Sequence, residues 1–362
     1  MVRNLSDSQK KNIKKTPTNI FKKVVFVGPN PDGGGGMSAV MAEYKKAFKE
    51  ATVLATNSTK GRFAGLVRFG VSMLRLPIER LKGRKILHIH YAGGKSWERK
   101  KVVVRLGRLF GYKLIMHCHT DLEMMTQVWC SEAEASSILS KGTGNIVLGN
   151  IYRDFAVNNL KLANVVLVDN PISFTGKRKD ASASPVTFLF LGVLTHDKGA
   201  FDLVEAARIL KEEGLRFKIN MCGAGKGETE VRESIARYGL EDTVILPGWV
   251  KGDDKLRIFE DSHVFVLPSY TEGMPMSILE AKCAAMPSIS TKVGGIPDII
   301  EDGKDGYLFE PGDVEELASA MRQFIVNPGL IEKTGSAAKE SSIRFDIGSI
   351  RKELEKQYES VL

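Results

Sequence analysis

Twice along this chain, short apolar runs of three to five residues alternate with stretches of helical period, and one polar segment separates the two series. Parallel strands buried on both faces are apolar throughout and need a long return connection, so this alternation reads as parallel sheets with crossover helices. The first series comprises Val24–Val27, Val53–Ala55, Ile86–His90, Leu114–His117, Ile146–Leu148 and Val165–Val168. The second comprises Phe188–Leu191, Phe217–Met221, Val244–Leu246, Val264–Leu267, Ser288–Ser290 and Gly306–Phe309, with helical segments near 200–213, 227–238, 276–286 and 313–327. The expected architecture is α/β, with two doubly wound parallel-sheet halves facing a cleft at the carboxyl ends of their strands. The domain limits follow from composition. Residues 1–19 form a polar, Lys-rich tail, 20–172 a first domain, 173–185 (SFTGKRKDASASP) a linker, and 186–341 a second domain. Residues 342–362 form an amphipathic helix expected to pack back toward the first domain.

At 362 residues the chain has room for two such cores. It contains no apolar run of the ~18–20 residues a membrane span needs, and its N-terminal stretch lacks the apolar core of a secretion signal. Four cysteines without paired spacing (Cys118, Cys130, Cys222, Cys283) suggest neither disulfides nor a zinc knuckle, so a cytoplasmic setting is expected. The overall charge of +9 conceals an asymmetry. Residues 1–170 hold 28 Lys and Arg against 12 Asp and Glu, a net of +16, whereas the remainder holds 24 against 31, a net of −7. The basic half is therefore expected to face an anionic partner.

Three loops carry the chemistry. Gly33-Gly34-Gly35-Gly36 joins the first strand to a helix beginning near Met37, where backbone can approach a phosphate or sugar closely. It lacks the G-x-G-x-x-G spacing and trailing acid of a dinucleotide site, so no NAD is expected. Gly192-Val193-Leu194-Thr195-His196-Asp197-Lys198-Gly199 follows a strand of the second series and sets a Lys at the cleft mouth, a natural point charge for a diphosphate. The most specific block is Pro268-Ser269-Tyr270-Thr271-Glu272-Gly273-Met274-Pro275-Met276-Ser277-Ile278-Leu279-Glu280-Ala281, which runs from a buried strand through a tight loop into a helix. Amides of Gly273, Met274, Met276 and Ser277 and the turn at Pro275 lie at a helix N-terminus that favours an anion. Glu272 stands at the cleft, and Glu280 can accept hydrogen bonds from vicinal hydroxyls such as those of a ribose.

With these residues the chain resembles the retaining GT-B glycosyltransferases of family 4 (glycosyltransferase group 1) over residues 22–345. Pro268–Ala281 matches that family's E-x7-E signature, and Val293-Gly294-Gly295-Ile296-Pro297-Asp298 is similar to its continuation. The resemblance implies two Rossmann-like domains and a hexosyl transfer that retains configuration and uses neither a metal nor a cofactor. The donor it implies is a nucleotide-diphosphate sugar, UDP-linked first and GDP-linked second. It implies that Glu280 binds the donor ribose, that Glu272 holds hydroxyls of the transferred sugar, and that Lys198 neutralises the departing diphosphate. Gly35 and Gly36 would close over donor and acceptor, with Gly192 and the loop around Gly223 (Gly223-Ala224-Gly225-Lys226-Gly227-Glu228) near the nucleotide. The chain departs from the family pattern G-R-L-x-x-x-K-G at Val193, where the usual Arg would supply a second cation; one such charge-assisted bond is worth roughly 1.5–3 kcal/mol.

His117 and His119 end a first-half strand. Alternation puts both on one face with no evident third ligand, so no metal is expected, and the resemblance assigns the sugar contact to His119. His88 and His90 alternate likewise and are expected to pack. Residues 60–85 intersperse Phe63, Leu66, Val67, Val71 and Leu74 with Arg62, Arg68, Arg75, Arg80, Lys82, Arg84 and Lys85. Together with Lys95–Arg108 they form a basic amphipathic surface expected to dock on anionic lipid at the inner face of the cytoplasmic membrane. That points to a glycan or lipid-linked acceptor and to assembly of a bacterial capsule, exopolysaccharide or lipopolysaccharide. Nucleic acid is not expected, because no basic motif with interleaved aromatics accompanies the charge. Two alternatives remain open: a weakened relative that binds nucleotide sugar without turnover, and a GT-B nucleotide-sugar epimerase.

Overall fold

The computed structural model describes residues 19–362; of the Lys-rich tail, residues 1–18 lie outside this range. Two six-stranded sheets, parallel throughout, organise it. The first contains β1 (Val24–Gly28), β2 (Thr52–Ala55), β3 (Ile86–Tyr91), β4 (Lys113–Cys118), β5 (Gly144–Val147) and β6 (Val165–Leu167), in the order β2-β1-β3-β4-β5-β6. The second contains β7 (Val186–Leu191), β8 (Phe217–Cys222), β9 (Val244–Gly248), β10 (Val264–Leu267), β11 (Ser288–Thr291) and β12 (Gly306–Phe309), in the order β12-β11-β10-β7-β8-β9. Helices cover both faces. Every residue of β1, β3, β10 and β11 is consequently buried; β1 and β10 read as unbroken apolar runs, whereas β3 buries His88 and His90 and β11 buries Ser288, Ser290 and Thr291. This is the doubly wound, two-sheet GT-B fold.

The strand order reverses between β1 and β3 in the first sheet and between β7 and β10 in the second. Ligands of such sheets bind outside the carboxyl ends at those points. The glycine loop leaves β1, the Gly192 loop leaves β7 and the Pro268 loop leaves β10, so the topology brings all three to the cleft.

Two glycines allow the loops of the second domain to interlock. Gly199 has φ +66°, and a Cβ there would stand 2.0 Å from the carbonyl oxygen of Pro268. Gly294 has φ +56°, and a Cβ there would stand 1.8 Å from the carbonyl oxygen of Glu272. No other residue fits either place.

The polar segment 173–185 is bound along its length. Ser173 Oγ donates to Glu43 at 2.6 Å, the Phe174 ring lies 4.6 Å from that of Phe259, Arg178 Nε donates to the Ala285 carbonyl at 2.8 Å, and Lys179 N donates to the Ser262 carbonyl at 2.8 Å. Its polar groups saturate helix-end carbonyls of the second domain, so it works as a strap. After a further helix, Gly329–Ser341, the chain crosses to the first sheet in the helix Ile347–Val361. That helix buries Ile350, Leu354, Tyr358 and Val361 on one stripe. The Arg351 guanidinium lies over Phe21 at 4.5 Å, and Tyr358 reaches His88 at 2.6 Å. Apolar residues form a continuous core from the first sheet through this helix to the second sheet.

Candidate functional site

The cleft between the sheets is lined from one side by Gly36, Met37, Val40, His119 and Leu148, and from the other by Glu272, Gly273, Met274, Pro275 and Met276, with Asn170 at the crossing. The first-domain helix Gly36–Ala47 begins directly at the glycine loop; its N-cap, Gly35, has φ +91° and offers no side-chain cap. The second-domain helix Met276–Cys283 likewise starts without a side-chain cap, after Pro275. Two uncapped helix N-termini thus converge on one cleft, each presenting amide dipoles to an anion.

The loop that carries Glu272 is held on every side. Ser269 Oγ donates to Glu272 Oε1 at 2.9 Å, the Tyr152 hydroxyl of the first domain donates to the Glu272 carbonyl, and Gly295 N donates to the Gly273 carbonyl at 2.9 Å. Asn170 Nδ2 donates to the Met274 carbonyl at 3.3 Å. Lys198 Nζ donates to Glu272 Oε1 at 2.6 Å and to the Thr271 carbonyl at 3.1 Å. The two charged groups that the sequence places 74 residues apart are therefore one ion pair. Gly192 and Gly223 stack backbone to backbone at the ends of β7 and β8, with Gly192 N donating to the Cys222 carbonyl at 3.1 Å. Val193 projects beside them, 40% exposed, where the family pattern has Arg.

Glu280 stands one turn inside its helix and is only 7% exposed. Lys255, from the helix Gly252–Glu260, reaches both of its carboxylate oxygens, Oε1 at 2.6 Å and Oε2 at 2.5 Å. Burial raises the Glu280 carboxyl above its ordinary 4.5, and Lys255 counters that rise. The sequence reading missed Lys255, which no local spacing links to Glu280. It also missed Trp249, 54% exposed, whose ring edge comes within 4.0 Å of the Cβ position at Gly34 across the cleft mouth.

The four first-domain histidines form one cluster. β3 and β4 pair with His90 in register with His117, so His88, His90, His117 and His119 all face the same side of the sheet. The expectation that His117 and His119 lack a third ligand group nearby is corrected: the neighbouring strand supplies two more imidazoles. His90 Nδ1 lies 2.8 Å from His119 Nε2, and His88 Nε2 lies 3.0 Å from His117 Nδ1. Burial pushes His88, His90 and His117 well below the ordinary 6.5, and His119 to about 3, so the rings are neutral at pH 7.

A second surface lies on the outer side of the first domain. The helix Arg62–Leu81 turns Ser72, Met73, Leu76 and Glu79 inward. Buried Glu79 anchors it, with Lys82 at 3.1 Å, Arg75 at 3.5 Å and Arg84 at 3.7 Å. The outward face is apolar: Phe63 is 81% exposed and Leu74 is 74%, with Leu66, Val67, Val71, Ile78 and Leu81 exposed beside them. The amphipathicity is thus inverted relative to an ordinary crossover helix, which buries its apolar stripe. Arg84 does not belong to this surface; it donates to the carbonyls of Lys22 and Glu50. No helix among the described residues is long and apolar enough to cross a membrane.

Residues 175–341 match the family model described as "Glycosyl transferases group 1". Over 157 residues the chain is 34% identical to the putative colanic acid biosynthesis glycosyltransferase WcaL of Salmonella typhimurium, covering 42% of this chain and 39% of that one. It is equally similar, with the same coverage, to the amylovoran biosynthesis glycosyltransferase AmsK of Erwinia amylovora. The matched region therefore spans about two-fifths of the length of these relatives. Among solved structures, Anabaena Alr3699/HepE in complex with UDP and glucose superposes with a TM-score of 0.75 at 18% identity, covering 93% of this chain and 99% of that one.

Proposed function

We propose that this chain, whose residues 175–341 carry the group 1 glycosyl transferase domain, moves a hexose-type sugar from a nucleotide-diphosphate sugar to a glycan or lipid-linked acceptor in bacterial surface-polysaccharide assembly. The observation that supports this best is the convergence of Lys198, Glu272 and the uncapped Met276 helix terminus with Gly36 and His119 on one interdomain cleft. In this reading the diphosphate lies on the Met276 helix terminus beside Lys198, and Glu280 takes the ribose hydroxyls in place of Lys255. Glu272 and His119 hold the transferred sugar. The bond from the anomeric carbon to the diphosphate breaks, and a bond to the acceptor oxygen forms on the same face, which retains configuration. The acceptor proton passes to the departing diphosphate. Negative charge gathers on that leaving group, where preorganised amides and an ammonium stabilise it without a metal. The UDP-bound neighbour and the polysaccharide-assembling relatives WcaL and AmsK favour a UDP-sugar and a polysaccharide product.

The Arg62–Leu81 surface is read as a dock on anionic lipid, at the inner face of the cytoplasmic membrane. Each buried Phe or Leu contributes up to ~1.5–3 kcal/mol, and each nearby cation (Arg62, Arg68, Arg75, Lys82) about 1 kcal/mol. An acceptor carried on a lipid would then be presented to the first domain.

One observation favours a second reading. Val193 leaves the Gly192 loop without its usual cation, which fits a protein that binds nucleotide sugar without turnover. Thermal-shift measurements with UDP, GDP and ADP, with and without EDTA, on wild type and Glu280→Ala test the donor site. One nucleotide stabilising the wild type regardless of EDTA, and not the variant, supports the first reading's donor site. No stabilisation by any of them at millimolar concentration removes both readings. Donor hydrolysis or transfer that is lost in Glu272→Ala separates turnover from binding alone.

A further inference from the structure

We propose that His88, His90 and His117 form a transition-metal site for Zn2+, buried between the first sheet and the C-terminal helix. One ring nitrogen from each of the three lies within 4.8 Å of the others, and all three side chains are 0% exposed. His88 Nε2 and His117 Nδ1 already stand 3.0 Å apart. Two ligands at the usual Zn–N length of ~2.0–2.1 Å in tetrahedral geometry stand ~3.3 Å apart, so that contact must open slightly, and the His88 and His90 rings, stacked at 4.4 Å with 1° between their planes, must turn for their in-plane lone pairs to converge on the ion.

The surroundings supply two of the three imidazoles, His88 and His90, with what a metal-bound ring needs. A ligating His donates its other N–H to an acceptor, which fixes its tautomer and orientation. His88 Nδ1 lies 2.6 Å from the Tyr358 hydroxyl, and His90 Nδ1 lies 2.8 Å from His119 Nε2. His90 is thereby left with Nε2 free to ligate, and His88 Nε2 ligates once it gives up its contact with His117 Nδ1. His90 Nε2 and His117 Nε2 are buried without a hydrogen-bond partner, as is His119 Nδ1.

Proton counting shows which tautomer the ion would select. The neutral His90–His119 pair carries two ring protons, and only one sits in their shared bond. The other rests on a buried nitrogen without an acceptor. A metal on His90 Nε2 selects one arrangement: His90 donates from Nδ1 to His119 Nε2, and His119 carries its proton on Nδ1 beside the cleft, still without a protein acceptor. The ion would therefore orient a cleft residue as well as join β3, β4 and the C-terminal helix through Tyr358. This proposal does not depend on the glycosyl-transfer reading.

The test uses the full chain, stripped with chelator and titrated with Co2+ and then with competing Zn2+. The expected result is one equivalent of Co2+ with the visible bands of a tetrahedral nitrogen site, displaced by Zn2+. The bands should vanish in His117→Phe and in His88→Phe, and persist in His196→Ala, an exposed surface control. Tyr358→Phe keeps all three ligands and should weaken Zn2+ binding about 10- to 100-fold. If the histidine variants fail to fold by circular dichroism, Tyr358→Phe decides: unchanged affinity overturns the site. Absence of the bands in wild type, or their survival in folded His88→Phe and His117→Phe, overturns it equally.

Discussion

The ammonium of Lys198 and the carboxylate of Glu272 are paired at 2.6 Å, and the hydroxyl of Ser269 shares the same carboxylate oxygen at 2.9 Å. Neither charge is free to act until it exchanges its partner. Lys198 must turn to a phosphate oxygen, and Glu272 to sugar hydroxyls. Donor binding is therefore an exchange of charge-assisted bonds, and it favours a ligand that supplies both an anion and vicinal hydroxyls.

Lys198→Met should lower the rate of donor turnover by about 10²–10³-fold, because it removes a cation from the place where leaving-group charge develops. Glu272→Gln keeps the shape of the loop and should lose a similar factor in rate while still giving a nucleotide thermal shift. Steady-state transfer or donor hydrolysis, alongside the thermal shift, measures both. A Glu272→Gln protein with wild-type turnover would remove Glu272 from the chemistry.

Lys255→Met should destabilise the fold by about 1–3 kcal/mol, a value held down by the partial exposure of the lysine. The loss arises because the buried Glu280 carboxylate then has no counter-charge. The carboxyl is raised in the folded state, so the folded protein binds the extra proton above 4.5, and stability falls as pH rises from there through the folded value. Lys255→Met should deepen that fall, and adding Glu280→Gln should recover most of it. Urea unfolding at pH 4.5 and 7.5 tests this; additive effects of the two substitutions would contradict it.

The histidine cluster predicts the opposite pH dependence. All four rings titrate below 6.5 in the folded protein, so the unfolded chain takes up protons first as pH falls. The stability contributed by neutral burial is full above about 6.5 and is lost below it. Tyr44 and Tyr358 pack on these rings and Lys100 lies nearby, and none supplies a negative charge to hold a proton. With more than one proton taken up on unfolding near pH 5.5, stability should fall by more than ~1.4 kcal/mol per pH unit, and less steeply in His88→Phe. Denaturant unfolding in the presence of chelator across pH 5–8 measures the slope.

Phe63→Ser with Leu74→Ser should leave the unfolding midpoint nearly unchanged, because both side chains are already in solvent. The pair should weaken sedimentation with vesicles rich in anionic lipid by at least tenfold. Wild-type binding should also weaken with added salt as the basic flank is screened. Vesicle binding that survives both changes would assign the apolar face to another partner.

Much of this molecule is written locally. Strand positions follow from apolar runs that are buried on both faces, and the Pro268–Ala281 block carries its loop and helix signals within fourteen residues, directly after the strand Val264–Leu267. Such features rest on neighbours in sequence, through strand and helix propensity, turn glycines and helix termini. The decisive pairings do not. Lys255 and Glu280 meet through packing of two helices, and Lys198 meets Glu272 because β7 and β10 are neighbours in the sheet. The four-imidazole layer exists only because β3 and β4 pair in one register; a slip of one strand by one residue would send its two rings to the face opposite the other two. The outward apolar face of Arg62–Leu81 is likewise a tertiary outcome. Its hydrophobic period suits a buried crossover helix as well as a surface one, and only the inward anchoring of Glu79 decides which way the stripe points. The sequence by itself determined the layers, the cleft and the loops that meet there, because backbone geometry and burial dictate them. Tertiary structure decided which charges neutralise one another and which face meets solvent, because those depend on distances between elements that no local pattern encodes.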